Sequence, residues 1–538
     1  MRGSIWFLFF CYLLLGTLII TDYGISMDEP IQRKHGMVAF EYINELAGLF
    51  PSIPTLTGES LPSYDHRDYG MLFQTIAYGL ELALDVNNSR DVFKLRHLMV
   101  FTLFWTACIT FYLILHLRFR SVPLALAGVL MMVLSPRIFG DSMYNPKDIP
   151  LMCWFIFAFY THIRFFDMND KYGPILHGLS CALAIGSRIV GVVLPIISMG
   201  YLVVLLLSKR GEKDVIEIFL KRSVFYLLFL ALFTYALWPV LWENPIGNFL
   251  HSFQSMKRFS WYGDMLYMGE MVKSTSLPWH YIPIWIIVTT PLTFMGLIII
   301  GASIVVVKIV KNGFKRLAGK DMRMDLVALG AFVIPLGSVI ILGSVLYNGW
   351  RHLYFVYPFL VYLGVLGIQS LLAFFGVKGS GWKVRMFYFA LIFLIALDLG
   401  HTFYFLIRYH PHQSVYFNVL AGDVEFNFER DYYGVSYKEG LTKLLDYYPD
   451  RKLRIYSRDF IGKINVMNFP KKEAERLIFV NSLQEADFFI SLFNFRTIEE
   501  HSDFIEKNYP FNQPKVFDIQ VSGYKVLQVF RLQSKSEL

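Results

Sequence analysis

Charge is what this 538-residue sequence has least of. Asp, Glu, Lys and Arg make up 17% of it, against about 25% in an average soluble protein. Hydrophobic residues account for 55% and aromatics for 17%. That balance excludes an ordinary soluble enzyme and points to a multi-pass membrane protein with some soluble mass. Cysteine is scarce as well. Cys11, Cys108, Cys153 and Cys181 each lie in an apolar run, without CxxC or metal-ligand spacing. They read as inert helix residues and leave the redox compartment open. Internal repeats and low-complexity tracts are absent. The net charge of +8 would suggest nucleic acid in a soluble chain. Here the placement of charge matters more than its sum, and no nucleic-acid partner is expected.

What the sequence has instead is long apolar runs. A spanning helix needs about 20 mostly apolar residues. Candidates are 5–21, 97–117, 122–136, 149–163, 174–187, 189–207, 223–241, 281–307, 325–346, 353–376 and 386–407. The first reads as an uncleaved helix, since no small-x-small cleavage site follows it. About eleven spans put the two ends on opposite sides. With the N-terminus in the cytoplasm, loops 118–121, 164–173, 208–222, 308–324 and 377–385 hold eighteen Lys and Arg. The short outer loops hold only Arg137, Lys147, Arg188 and Arg351, and loop 242–280 adds Lys257, Arg258 and Lys273. This bias orients the chain. Residues 174–207 would be about 51 Å as one helix, too long for a core of about 30 Å. A hairpin with Arg188 at its tip is expected.

The expected fold is therefore mainly α: a polytopic bundle over 1–407, then a small extracytoplasmic α/β domain over 408–538. In that domain 437–448 reads as an amphipathic helix, 452–457 and 486–493 as strands, and 517–532 as a hairpin with a Ser-Gly turn. Residues 31–48 and 71–84 read as helices lying at the interface. Loop 242–280, rich in aromatics and Met, reads equally as a cover over a site or as a passive connector.

On this topology the conspicuous polar residues share the outer side. "SMDEPIQRKHG" (26–36) places Asp28 and Glu29 just past the first helix. "SPRIFGDSMYNPKDIP" (135–150) carries Arg137, Asp141, Lys147 and Asp148. Arg188 and "YNGWRHLYFVYP" (347–358), with Arg351 and His352, complete the set. Within the apolar runs, His177 and Asp398 stand out. An intramembrane relay would need more ionisable groups than these. Carboxylates facing several cations suit a reaction on a lipid-borne anion. Cations hold a phosphate, and a carboxylate takes the proton of an incoming hydroxyl. Plainer readings stand beside this one: Asp28 and Glu29 as interfacial charges or a cap, Asp148 as a helix cap, Lys147 snorkelling and Arg351 as an interface anchor.

The Asp-Glu pair directly after the first helix resembles the GT-C glycosyltransferases, among them the protein O-mannosyltransferases and the aminoarabinose transferase that modifies lipid A. "NPKDIP", "GWRHLYFVYP" and the stretch "YHPHQSVYFNVLAGDVEFNFERDYYGVSYKEG" (409–440) are similar too. The resemblance implies transfer of one sugar from a polyprenyl-phosphate carrier, by inverting single displacement, to a lipid, glycan or protein acceptor outside a bacterial plasma membrane. It makes Asp28 the base, Glu29 its neighbour, and Asp148 the residue orienting the acceptor or a divalent ion. Lys147, Arg188 and Arg351, with Arg137, would hold the donor phosphate. His352, Tyr416 and Asp431 are weaker candidates for sugar contacts. No cofactor is implied with certainty, and any divalent cation would fall to Asp28, Glu29 and Asp148. Loop 242–280 is too short for the extra soluble domain of the protein mannosyltransferases, which weakens a protein acceptor. The rival readings are a flippase for lipid-linked glycans, which needs polar residues across the bilayer, and a non-catalytic scaffold, which leaves the facing charges unexplained.

Overall fold

In lipid, an apolar chain satisfies its backbone polar groups as helix. The computed structural model shows that outcome. It describes residues 2–48, 50, 56–209, 211–257, 261–378, 381–494 and 508–533; Arg210 and Arg258, counted above among the loop charges, lie outside these. Helix α1 (Arg2–Ile19) leads to α2 (Glu29–Ala47) and α3 (Leu72–Ala83), on the two stretches expected to be interfacial helices. Then follow α4 (Ser89–Phe119), α5 (Val122–Val133), the short α6 (Pro136–Asp141), α7 (Asp148–Phe165), α8 (Gly173–Ser187), α9 (Val193–Ser208), α10 (Lys213–Leu237) and α11 (Pro245–Lys257). A hairpin, β1 (Asp264–Tyr267) and β2 (Glu270–Lys273), precedes α12 (Tyr281–Thr289), α13 (Leu292–Arg316), α14 (Lys320–Leu342), α15 (Tyr357–Lys378) and α16 (Trp382–Arg408).

Every expected run falls on helix. Among the described residues seven helical segments, those containing α1, α4, α9, α13, α14, α15 and α16, are long and apolar enough to cross a bilayer. The chain is an integral multi-pass membrane protein. Two further runs give short apolar helices, α5 with 12 residues and α8 with 15.

The run 174–207 does fold back. Arg188 is extended (φ −159°, ψ 139°) between α8 and a short 3-10 turn. Ser198 of α9 reaches His177 of α8 at 2.8 Å, which a single straight helix would hold about 30 Å apart. Ser198 also meets His162 at 3.0 Å, a second intramembrane histidine beside the one singled out above.

The run 281–307 is not one helix. Pro291 has no N–H to donate and disfavours helix at the residue before it, so α12 ends at Thr289 and α13 begins at Leu292. The freed groups are recovered from distant residues. Asn418 Nδ2 donates to the carbonyls of Ile287 (2.6 Å) and Thr290 (2.7 Å), and its N–H to Val288 (2.8 Å). The other side of the break is capped by Asp398 of α16. Thr293 N–H and Oγ1 donate to its Oδ2 at 3.0 and 2.5 Å. That accounts for the lone acid in an apolar run.

Close packing of α13 on α15 uses glycine. A Cβ at Gly301 would strike the Leu363 carbonyl, and one at Gly367 the Leu297 carbonyl, as membrane helices with small contact residues require. Beyond α16, β3 (Leu453–Ser457), β4 (Leu477–Phe479), β5 (Phe488–Leu492), β6 (Lys515–Val521) and β7 (Tyr524–Arg531) form one sheet ordered β4-β3-β5-β7-β6. β3 runs parallel to β4 and β5, and the other pairs are antiparallel. Helix Ser436–Tyr447 covers the sheet, with Gly440 against Leu527. The expected Ser-Gly turn is present, Ser522 and Gly523 both at positive φ.

Candidate active site

Four stretches of chain converge at one end of the bundle, joined by the α8–α9 turn and by Tyr69 from the loop before α3. The first runs from α1 to α2. Asn465 brackets it: Ile25 N–H donates to Asn465 Oδ1, and Asn465 Nδ2 donates back to Ile25 O, both at 3.0 Å. Met27 N–H donates to Tyr433 O at 3.1 Å. α2 then starts with Pro30 in its first turn, where a missing N–H costs nothing. Asp28 occupies the cap position but its side chain makes no cap bond. Its Oδ2 instead accepts from Arg351 Nη1 at 2.6 Å. Glu29 points elsewhere, since consecutive helical residues do not share a face. It is buried, accepts from Ser26 N–H at 2.6 Å and meets His97 Nε2 of α4 at 2.8 Å.

The second stretch links α6 to α7. Asn145 Oδ1 accepts from the N–H groups of Lys147 (3.1 Å) and Asp148 (2.9 Å). Asn145 thus holds the turn that leads into α7 and leaves the Asp148 carboxylate free for other partners. Asp148 is buried. Its Oδ1 lies 2.9 Å from Arg188 Nη1, supplied by the α8–α9 turn. Its Oδ2 accepts from Asn145 Nδ2 (3.1 Å) and Tyr433 OH (3.2 Å) and lies 3.7 Å from Arg351 Nη1.

Arg351 comes from the third stretch, between α14 and α15. Asn348 and Gly349, at φ +56° and +73°, turn the chain inward there. The guanidinium is buried and donates also to Tyr433 OH at 3.1 Å. The rings of Tyr347 and Tyr433 lie 5.0 and 5.2 Å from it, within cation–π range. The fourth stretch, 409–434, supplies Tyr433.

Lys147 completes the group. Its Nζ sits 4.3 Å from the centre of the Tyr69 ring and makes no hydrogen bond among the described residues. Burial, and then the repulsion of Arg188, push its pKa down to about 7 against the pull of Asp28 and Asp148. For Asp28, burial pushes the carboxyl up, but Arg351 and Lys147 outweigh it and hold it below its ordinary range. Three cations thus face two carboxylates. One positive charge is in surplus, and the residue without an anionic contact is Lys147.

Arg137, Tyr416 and Asp431 lie apart from this group, and His352 borders it. Arg137 is buried between Trp285 and Phe417, 5.6 and 5.2 Å from their rings, and donates to Tyr416 O at 3.4 Å. Tyr416 packs edge-on against Phe405. Asp431 accepts from the N–H groups of Val435 (3.2 Å) and Ser436 (3.0 Å). His352 lies edge-on to Tyr347, 4.6 Å between centroids, on the rim of the site. Sequence reasoning passed over Tyr69, Asn145, Tyr347 and Tyr433. Asn145 alone carried a local signal, an Asn three residues before a helix-opening Asp and followed by Pro.

The carboxylates do not suit a metal ion as arranged. Asp28 and Asp148 face guanidinium groups, which repel a cation, and Glu29 is turned to His97. Among the described residues no three His, Cys, Asp or Glu side chains cluster as ligands.

A family model for dolichyl-phosphate-mannose-protein mannosyltransferases matches residues 73–253, a stretch that includes Lys147, Asp148 and Arg188. The fold of the whole chain matches that of ArnT from Cupriavidus metallidurans, solved bound to undecaprenyl phosphate. The TM-score is 0.51 at 11% identity, over 98% of both chains. The bundle has the GT-C fold. Oligosaccharyltransferases from Archaeoglobus fulgidus align less closely with it. The apo form gives a TM-score of 0.46 at 12% identity, and AglB with an inhibitory peptide and a dolichol-phosphate gives 0.46 at 10%. The chain aligns over 89% and 90% of its own length with them, and spans 65% and 69% of theirs. By sequence alone, no curated protein matches it.

Proposed function

We propose that the protein is a membrane glycosyltransferase that takes a sugar from a polyprenyl phosphate and passes it to a hydroxyl on the extracytoplasmic side. The observation that carries this reading is the surplus cation: Lys147, Arg188 and Arg351 gather around two carboxylates, with Lys147 Nζ unpaired among the described residues. A phosphate supplies the missing anion. The ArnT structure that shares the fold was solved with undecaprenyl phosphate, which supports a lipid-phosphate donor here.

Asp28 is the base. Free, it is tied to Arg351 and ionised. A donor phosphate draws Arg351 toward itself, loosens that pair and raises the basicity of Asp28 where the acceptor arrives. The acceptor oxygen attacks C1 of the sugar and loses its proton to Asp28. The bond from C1 to the phosphate oxygen breaks, and the polyprenyl phosphate leaves with its charge held by the cations. One displacement inverts C1. Asp148 acts through Arg188 and Arg351 as a positioning residue, and Glu29, through Ser26 and His97, fixes the turn that presents Asp28. No step uses a metal, so chelation with EDTA should leave turnover unchanged.

Asp28→Asn tests the assignment. Turnover should fall by about 10²–10⁴, with undecaprenyl-phosphate binding and protein yield retained. Full activity in this variant rules the role out. Arg351→Gln should cost roughly 10²–10³ if it stabilises the departing phosphate. Mass spectrometry of envelope glycans and glycolipids, with and without the protein, identifies the product.

A further inference from the structure

Next to the charged group lies a second feature that the reaction above does not use. A cavity of about 320 Å³ opens between α2 and the loop that follows it, within the range of small-molecule sites, roughly 300–1,000 Å³. Ile31 and Lys34 of α2 line one side. The loop lines the other with Glu59, Tyr64, Asp65 and His66. Lys34 and Glu59 pair at 2.9 Å at the rim.

The cavity is tied to the proposed catalytic residues in two ways. Asp28, Ile31 and His35 are spaced three and four apart, on one side of the helix start. The ring of His66 also touches Tyr69, 5.8 Å between centroids, and Tyr69 carries Lys147 on its face. His35 stacks on Tyr69 at 5.6 Å and bonds Tyr64 OH at 2.8 Å. One aromatic ring therefore separates the cavity from the cation assigned to the donor phosphate.

The lining selects a ligand class. Carboxylates and serine hydroxyls accept and share hydrogen bonds with hydroxyl groups. His66, which is exposed and packs edge-on against the buried Tyr64, offers ring surface to the apolar side of a sugar. Among the described residues Ile31 is the one aliphatic side chain on the wall, too little apolar surface there for an acyl chain. We propose that this cavity is the acceptor subsite and takes a saccharide headgroup. This rests on the glycosyltransferase reading and adds the class of acceptor.

The test uses the full-length protein in lipid nanodiscs free of sugar detergents, with methyl β-D-glucopyranoside as probe and saturation-transfer NMR as readout. The glycoside should receive saturation from the wild type and from Asp28→Asn. The signal should fall about fivefold or more in Asp65→Ala and in His66→Ala; both positions are exposed, so these variants should fold. Octyl glucoside competing far better than the methyl glycoside would indicate a lipid-borne headgroup, and equal competition a free glycan. No transfer in the wild type, equal transfer in the variants, or displacement by a Thr-containing peptide would overturn the proposal. Failure of the glycosyltransferase reading shows separately, as undiminished turnover in Asp28→Asn whatever the glycoside does.

Discussion

At the scale of the residue, the informative group is Lys147. Its pKa near 7 in the free protein means that the charge is present below neutrality and lost above it. A bound phosphate favours the charged form and raises that pKa. Above about pH 7, where the phosphate monoester is already doubly ionised, affinity for undecaprenyl phosphate should therefore fall by up to about tenfold per pH unit. Lys147→Arg keeps its charge throughout, so its profile should stay flat over the same range. Titrating the lipid phosphate against both proteins checks this; a variant profile as steep as the wild type's would remove Lys147 from the phosphate site. The charged residues of the group were legible in sequence because Lys and Arg are few in the loops that the charge bias assigns to the outer side, so those present stand out. Their aromatic and amide partners were not. Tyr and Asn are common in loops, and nothing local sets Tyr433 apart from Tyr432 or Tyr416. In 409–434 the stretch was identified, but turn geometry decides which side chain enters the site. Asp431 spends its carboxylate on the backbone of the next helix, and Tyr433, two residues on, reaches Arg351.

At the scale of the element, hydropathy reads apolar stretches well and helix breaks poorly. The run 281–307 is apolar throughout, and Pro291 was the only sign that it is two helices. Its repair draws on Asn418 and Asp398, more than 100 residues away, so no window of sequence could show it. The repair has a measurable worth. Asp398→Ala removes the one oxygen that accepts both hydrogen bonds at the start of α13 and should destabilise the bundle by about 0.5–2 kcal/mol, read as a lower Tm. Asp398→Asn keeps a carbonyl oxygen and should come close to wild type. Turnover at a permissive temperature should be unchanged in both, because this cap lies outside the charged group. A loss of activity without a loss of stability would mean that Asp398 belongs to the chemistry. The hairpin 174–207 was legible for the opposite reason: its length and its central Arg188 left one geometry that fits a bilayer.

At the scale of the molecule, the site is assembled only when the chain beyond α16 returns to the bundle. Met27 binds Tyr433 through the backbone, and Asn465 brackets Ile25. The segment carrying Asp28 is thus held by residues more than 400 positions later. Tyr433 OH then joins the pieces. It accepts from Asn145 Nδ2 at 2.7 Å and from Arg351, and donates to Asp148. Tyr433→Phe keeps the ring and the packing against Tyr144 but removes this junction. Hydrogen bonds to charged groups are worth about 1.5–3 kcal/mol, so turnover should fall roughly 10–100-fold. Asn465→Ala acts differently: it loosens the 23–28 turn and should lower Tm along with activity. If the junction matters for chemistry, Tyr433→Phe should leave Tm close to wild type and lower kcat with little change in donor affinity, because Arg188 and Lys147 still hold the phosphate while Arg351 is less well aimed at it. Equal loss of Tm and kcat would instead make Tyr433 a packing residue, and the C-terminal chain a support for the site without a part in its reaction.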